Sequence, residues 1–158
     1  MSEKITDIRF GGIKRLYGHQ QFDWLQEAHF CVVGIGGVGS WAAEALARTG
    51  LGRITLIDLD DICATNVNRQ IHALSGTIGH AKVDAMKARC ELINPECNID
   101  VIDDFITLEN IKEHIHGFDY VIDCIDAVKE KAALIAHCKR NKMPIITTGG
   151  AGGQTDPG

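Results

Sequence analysis

One hundred and fifty-eight residues, 45% of them apolar and 23% charged, with 17 Gly and only 3 Pro, make one ordinary domain and exclude collagen-like, coiled-coil and disordered chains. A chain of this length buries roughly 68–70% of the surface its unfolded form exposes, so a real hydrophobic core is expected. Sixteen Lys plus Arg against 21 Asp plus Glu give a net charge of −5, which excludes a dedicated nucleic-acid-binding module and leaves any RNA contact local or elsewhere.

The apolar run Phe30-Cys-Val-Val33 ends in Gly34 and gives way to a helical pattern from Val38 to Arg48, so the first unit reads as strand, tight glycine turn, helix. Arg53-Ile-Thr-Leu-Ile-Asp58 is the next strand. Val83, Met86, Cys90 and Ile93 recur at helical spacing until Asn94-Pro95 stops them, and residues 98–103 return to a strand with Ile99 and Val101 on one face. Then come a helix over Leu108 to His116, a buried strand Tyr120-Val-Ile-Asp123, a helix over Val128 to Asn141, and a strand Pro144-Ile-Ile-Thr-Thr148 opening into Gly149-Gly-Ala-Gly-Gly153. The alternation predicts an α/β fold, a Rossmann-like doubly wound, mainly parallel sheet with right-handed crossovers and helices on both faces. The chain stops at Asp156-Pro157-Gly158, a turn signal, which predicts a fragment of a longer protein whose C-terminal part is absent here.

The six cysteines, at 31, 63, 90, 97, 124 and 138, contain no Cys-x-x-Cys pair, so zinc ribbons and thioredoxin-type motifs are unsupported. Cys31, Cys90, Cys124 and Cys138 fall in apolar patterns where Cys acts as a small hydrophobe, and the set reads as reduced and cytoplasmic. The N-terminus has acidic residues and no apolar stretch of signal-peptide type. The longest uncharged run, Phe30 to Ala43, is broken by glycines and shorter than the roughly 18 residues a membrane span needs, so neither export nor insertion is expected from these residues.

Gly34-Ile-Gly36-Gly37-Val-Gly39 lies between the first strand and its helix, where glycine permits the turn and lets backbone N–H groups and the helix start approach a phosphate. Asp58, nineteen residues past Gly39, closes the second strand where a carboxylate can accept from ribose hydroxyls. Both features suit NAD as well as ATP, and a glycine turn needed only for tight strand–helix packing would use the same residues. Cleaving a triphosphate requires more: an Arg and a Lys aimed at the β and γ groups and a carboxylate for Mg²⁺. Arg69, Lys82 and Asp126 fall just beyond strand ends or at a helix start, on the crevice side of the sheet. Singly they also read as a loop salt bridge, a solvated helix start and a helix N-cap; jointly they favour the triphosphate.

Gly-Ile-Gly-Gly-Val-Gly, Asp58-x-Asp60, Asn66-x-Asn-Arg69-Gln70, Lys82 of Gly-His-Ala-Lys and Asp126 of Asp-Cys-Ile-Asp together resemble the adenylation domain of the ubiquitin-activating-like ThiF/MoeB superfamily, over about Arg9 to Gly153. Arg9-Phe-Gly-Gly, Arg15-Leu-Tyr-Gly, Ala-Leu-Ala-Arg-Thr-Gly50, Asn-Arg-Gln-Ile-His-Ala-Leu74 and Thr-Thr-Gly-Gly-Ala-Gly-Gly-Gln154 are similar to its branch of TcdA-type tRNA threonylcarbamoyladenosine dehydratases. That resemblance implies a helical arm over residues 1–28 and an ATP-binding adenylation domain over residues 29–158. It implies a nucleotide site built from Gly34, Gly36, Gly37, Gly39, Asp58, Asp60, Asn66, Arg69, Gln70 and Lys82, with ribose on Asp58, phosphates on Asn66, Arg69 and Lys82, and Mg²⁺ on Asp126. The implied substrate is the threonine carboxylate of threonylcarbamoyladenosine on tRNA, adenylated and then cyclised with loss of AMP, with Arg69, Lys82 and Asp126 as catalytic residues. A homodimer and sulfur-relay partners are implied likewise.

Two departures bear on the carry-over. Relatives that activate a carrier protein's C-terminus have a second Arg in an Arg-Tyr-x-Arg-Gln stretch, given to the partner subunit's ATP; Gly12 stands in that place here, and Arg9 or Arg15 is left to substitute. Their zinc cysteine pairs and thioester cysteine are not recognisable in these residues. An activating enzyme for a ubiquitin-like sulfur-carrier protein and a non-catalytic nucleotide-binding module remain the alternatives.

Overall fold

Two helices, α1 (Ile5–Tyr17) and α2 (His19–Glu27), precede the first strand in the computed structural model, which describes residues 5–149. From there strand and helix alternate: β1 (His29–Val33), α3 (Gly39–Thr49), β2 (Arg53–Ile57), a single 3₁₀ turn at Ala64–Asn66, α4 (Lys82–Ile93), β3 (Asn98–Ile102), α5 (Ile111–His114), β4 (Tyr120–Asp123), α6 (Val128–Arg140) and β5 (Ile145–Thr147). The five strands form one parallel sheet in the order β3-β2-β1-β4-β5. The order reverses at β1, because the chain winds outward through β2 and β3 and then crosses back to pair β4 with β1.

The apolar runs seen in the sequence are strands covered on both faces. In β1, Val32 faces a core with Ala43, Ala47, Val83, Met86 and Cys90 of α3 and α4, while Cys31 and Val33 face a second core with Ile111, Leu134 and Cys138 of α5 and α6. Ile54 and Leu56 of β2 join the first core, Val121 of β4 the second. The amino-terminal helices are tied to this body by Phe10 and Phe22, both buried, whose rings close over Gly50. Gly50 ends α3 with φ +84°, the left-handed cap that glycine supplies without strain.

One helix is shorter than the sequence predicts. Leu108 to His116 carries a helical pattern, yet only Ile111–His114 is helical. The Thr107 amide donates to Asn110 Oδ1 at 2.8 Å and the Asn110 amide to Thr107 Oγ at 3.3 Å, so these side chains close a turn that competes with a helix start. At the other end Gly117 adopts φ +71° and the helix stops. The last strand begins at Ile145 rather than Pro144, which has no N–H to give, although the Pro144 carbonyl still accepts from Val121 N at 2.9 Å. The glycine run Gly150–Gly153, Gln154 and the Asp156-Pro157-Gly158 turn lie outside the described residues. Among the described residues no helix is long and apolar enough to cross a membrane.

The turn from β1 into α3 depends on two backbones touching. A Cβ added at Gly39 would overlap the Gly34 carbonyl oxygen, whereas one at Gly36 would meet only Gln70 Nε2, at 3.8 Å. Gly39→Ala is therefore expected to lower stability by at least about 2 kcal/mol, and Gly36→Ala to stay within about 0.5 kcal/mol. Urea unfolding of the two variants beside the parent checks this.

Candidate functional site

At the reversal of strand order, the carboxyl ends of β1, β2 and β4 open a cleft of about 720 Å³. Its floor is the glycine loop. Gly34, at φ +87°, turns the chain beneath the Cys124 carbonyl, where a Cβ would come within 2.9 Å of that oxygen. The next residue, Ile35, is fully buried and both its backbone polar groups are held by side chains. Its amide donates to Asp58 Oδ2 at 2.6 Å, and its carbonyl accepts from His72 Nε2 at 2.8 Å, which places the ring proton on Nε2 and leaves buried Nδ1 without a partner. Asp58 Oδ1 accepts a further bond from the Asp60 amide at 2.9 Å. No side chain caps the start of α3, whose N-cap residue Val38 lines the cleft, as a phosphate site at a helix start requires.

The segment between β2 and α4 supplies the second wall. Asn66 is buried and its Oδ1 accepts from Cys63 N at 2.9 Å, closing the 3₁₀ turn. That turn aims Arg69 back at the loop, its aliphatic stem beside Gly37 and its Nη1 donating to the Thr65 carbonyl and Asn68 Oδ1, both at 3.0 Å. Gln70 is buried at the cleft with Oε1 unpartnered. Lys82 opens α4 and lines the cleft, and the alternative of a solvated helix start does not hold: its side chain is buried, and Nζ donates to Asp60 Oδ2 at 2.7 Å, with Asp60 itself about half exposed. The cause is an antiparallel bridge between Asp61 and Ala81, which draws the start of α4 against the chain leaving β2.

The third wall is the end of β4. Asp126 lines the cleft, exposed, with no hydrogen bond or ion pair among the described residues. It is not the helix cap either, since Ala127 occupies that position and no side chain caps α6. Behind it lies a pair that the sequence reading passed over: Asp123, fully buried, accepts from Lys131 Nζ at 2.6 Å, and the same ammonium donates to the Thr148 carbonyl at 3.0 Å. This fixes the β4 turn to β5.

Of the residues singled out, Gly34, Gly36, Gly37, Asp58, Asp60, Asn66, Arg69, Gln70, Lys82 and Asp126 all line one cleft. Gly39 does not. It is buried under Gly34, so its role is backbone packing rather than contact with a ligand. Asp104 and Phe105, just past β3, and Cys124 and Thr148 line the cleft and were missed; the only signal was their place after strand ends. All six cysteines are free, and Cys124, the one at the cleft, has its thiol pushed up in pKa by burial, away from a thiolate. No group of three or more His, Cys, Asp or Glu among the described residues could hold a metal alone. Of the two N-terminal arginines, Arg9 is spent on the end of α4, donating to the Ile93 and Leu92 carbonyls at 2.5 and 3.1 Å. Arg15 is exposed and unengaged among the described residues.

Residues 12–157 match the ThiF family. The chain is 60% identical over 161 residues to a tRNA threonylcarbamoyladenosine dehydratase of Escherichia coli (strain K12), covering 99% of this chain and 60% of that protein. It is 63% identical to the Haemophilus influenzae protein of the same name, over 94% of this chain and 58% of that one. A crystal structure of E. coli tRNA N6-threonylcarbamoyladenosine dehydratase, TcdA, in complex with ATP superimposes with a TM-score of 0.95 at 59% identity, over 99% of this chain and 65% of that one. The chain thus spans about 60% of the length of the curated relatives it matches.

The clamp on the glycine loop titrates. Burial, reinforced by the nearby Lys82 charge and opposed by the Ile35 hydrogen bond, lowers the His72 pKa below its ordinary 6.5. The unfolded chain then takes up a proton first as pH falls, so the stability due to neutral His72 is complete above about pH 6.5 and declines below it, by up to about 1.4 kcal/mol per pH unit. His29, lowered by burial and by Arg53, acts in the same direction. Urea unfolding between pH 7 and pH 5 should show falling stability, with a shallower slope in His72→Gln; equal slopes would assign the dependence elsewhere.

Proposed function

The chain belongs to the ThiF family, and from that premise we propose that the protein is an ATP-dependent tRNA threonylcarbamoyladenosine dehydratase. The observation that carries this reading is the convergence of Asp58, Asn66, Arg69, Gln70, Lys82 and Asp126 on one cleft around the glycine loop, in a chain so similar to proteins of that name. Asp58 has lone pairs left, beyond its two backbone bonds, for ribose hydroxyls. Phe105, half exposed at the β3 side of the cleft, offers an aromatic face to the base. The substrate is the threonine carboxylate of the modified adenosine, which attacks the α-phosphorus of ATP, displacing pyrophosphate. The resulting mixed anhydride is trapped by a nucleophile of the same molecule, AMP leaves, and one water has been removed overall.

Charge is what the protein must manage. Lys82 gives one of its three ammonium protons to Asp60 and keeps two for phosphate oxygens, and the Asp60 contact holds the ammonium in place before the nucleotide arrives. Arg69 uses Nη1 to anchor its guanidinium on the 3₁₀ turn and keeps its remaining donors for the departing pyrophosphate. Asp126, a hard carboxylate without a protein partner, fits Mg²⁺, which when bound to phosphate oxygens neutralises charge on them. Because the attack is intramolecular, no enzyme nucleophile is required, in keeping with Cys31, Cys90 and Cys124, whose thiol pKa values burial raises. The six unpaired thiols support a cytoplasmic location.

A homodimer completes the proposal. Val38, which lines the cleft, and Trp41, Val67 and Leu74 expose 47–54% of their surfaces, and a second copy would cover them. With Arg9 committed to α4, Arg15 is the N-terminal arginine left to reach a partner's nucleotide.

Mass spectrometry of tRNA nucleosides after incubation with the full-length protein and ATP tests the reading: the modified adenosine should lose the mass of one water, and an unchanged nucleoside would overturn it. Asp126→Asn should keep its melting temperature, because no cap or ion pair is lost, while pyrophosphate release falls by about a hundredfold. Near-parental release would remove Asp126 from the metal's ligands.

A further inference from the structure

At the other end of the sheet, the amino ends of β4 and β5 and the carboxyl ends of α5 and α6 surround a second concavity of about 930 Å³. Its charge runs against that of the chain. Although the protein carries a net −5, this cleft is lined by Lys112, Arg140 and Lys142 with His116 and His137, against the single carboxylate of Asp119, which already accepts from His29 N at 2.8 Å.

Cations near helix carboxyl ends ordinarily serve the last carbonyls. At the end of α6 three of those carbonyls have other partners. Asn141 donates to the His137 carbonyl through its amide at 3.1 Å and its side chain at 2.8 Å, Met143 N to Cys138 at 2.9 Å, and Lys142 N to Lys139 at 3.2 Å. His137 Nε2 donates to the Ile115 carbonyl at 2.7 Å. The side chains of Lys112, Arg140 and Lys142 are exposed and make no hydrogen bond or ion pair among the described residues. Lys142 has φ +55°, the only positive value outside glycine among the described residues, at a position where Gly or Asn costs least.

We infer that this cleft docks the phosphodiester backbone of RNA, a part of the tRNA remote from the reacting nucleoside. The inference rests on the reading of tRNA as substrate. The three unengaged cations come from separate elements, α5, the last residue of α6 and the turn into β5, a spread that suits successive single charges along a backbone. A compact phosphate dianion would instead face two helix carboxyl ends and no glycine loop, so a free nucleotide fits poorly.

The test is binding of the modified tRNA by the full-length protein between 50 and 200 mM salt, with the triple variant Lys112→Gln, Arg140→Gln, Lys142→Gln beside the parent and Lys87→Gln on the outer face of α4 as charge control. The triple variant should bind about tenfold more weakly, with a slope of log affinity against log salt shallower by roughly two to three, while ATP affinity and turnover at saturating tRNA stay parental and the KM for tRNA rises. Parental affinity and slope in the triple variant would overturn the inference, leave tRNA as the substrate and give the cleft to an acidic protein surface. Loss of turnover at saturating tRNA would also overturn it, since docking moves KM alone. A parent protein that neither binds nor converts tRNA would overturn the substrate reading and this inference with it.

Discussion

The Asp58 carboxylate holds the amide of Ile35, and the nucleotide end of the molecule is arranged around that bond. A glycine loop is soft by composition: Gly34 sits in a left-handed conformation and Gly36 and Gly37 contribute no side chain to pack. Burying Ile35 would strand an N–H and a C=O if nothing received them. Asp58, just past β2, and His72 from the segment before α4 receive both, so the loop takes one shape. Because Asp58 also accepts from Asp60 N, the residue that pairs with Lys82 is placed by the same carboxylate. Asp58, the glycine loop, Asp60 and Lys82 therefore form one connected unit.

The same unit accounts for a lysine at the start of a helix, where the dipole disfavours positive charge by typically 0.3–1 kcal/mol. Asp60 supplies a carboxylate at 2.7 Å, and a nucleotide's phosphates would supply more. On the far side of the cleft Lys131 plays a different part: it neutralises a wholly buried Asp123 and bonds the end of β5, so its charge is consumed internally. Two lysines near the starts of α4 and α6 are thus both largely buried, and burial separates them poorly. Their partners decide, since Asp60 is half exposed at the cleft and Asp123 is sealed.

Much of this was legible in the residues. β1 and β2 read as apolar runs because helices cover both faces of the sheet, and the glycine turn between β1 and α3 is written in the positions that cannot bear a Cβ, Gly34 and Gly39. The cleft residues were legible because a parallel sheet collects the ends of its strands on one edge, so Asp58, Arg69, Lys82 and Asp126 meet although they span much of the chain. What stayed hidden depends on distant partners. The burial of Lys82 is set by the Asp61 to Ala81 bridge, the clamp of His72 by a carbonyl 37 residues earlier, and the truncation of α5 by two side chains bonding each other's backbone. No periodicity encodes these. The basic cleft is hidden for a related reason, since Lys112, Arg140 and Lys142 stand apart in a sequence whose overall charge is negative.

Arg69 and Lys82 bring to the cleft cations that an NAD diphosphate read by backbone groups does not require, so the proposed ligand is a triphosphate rather than a dinucleotide. Calorimetric titration with ATP and Mg²⁺, and separately with NAD, tests this most directly. ATP should bind well and NAD poorly, and NAD binding as tight as ATP or tighter would contradict the account.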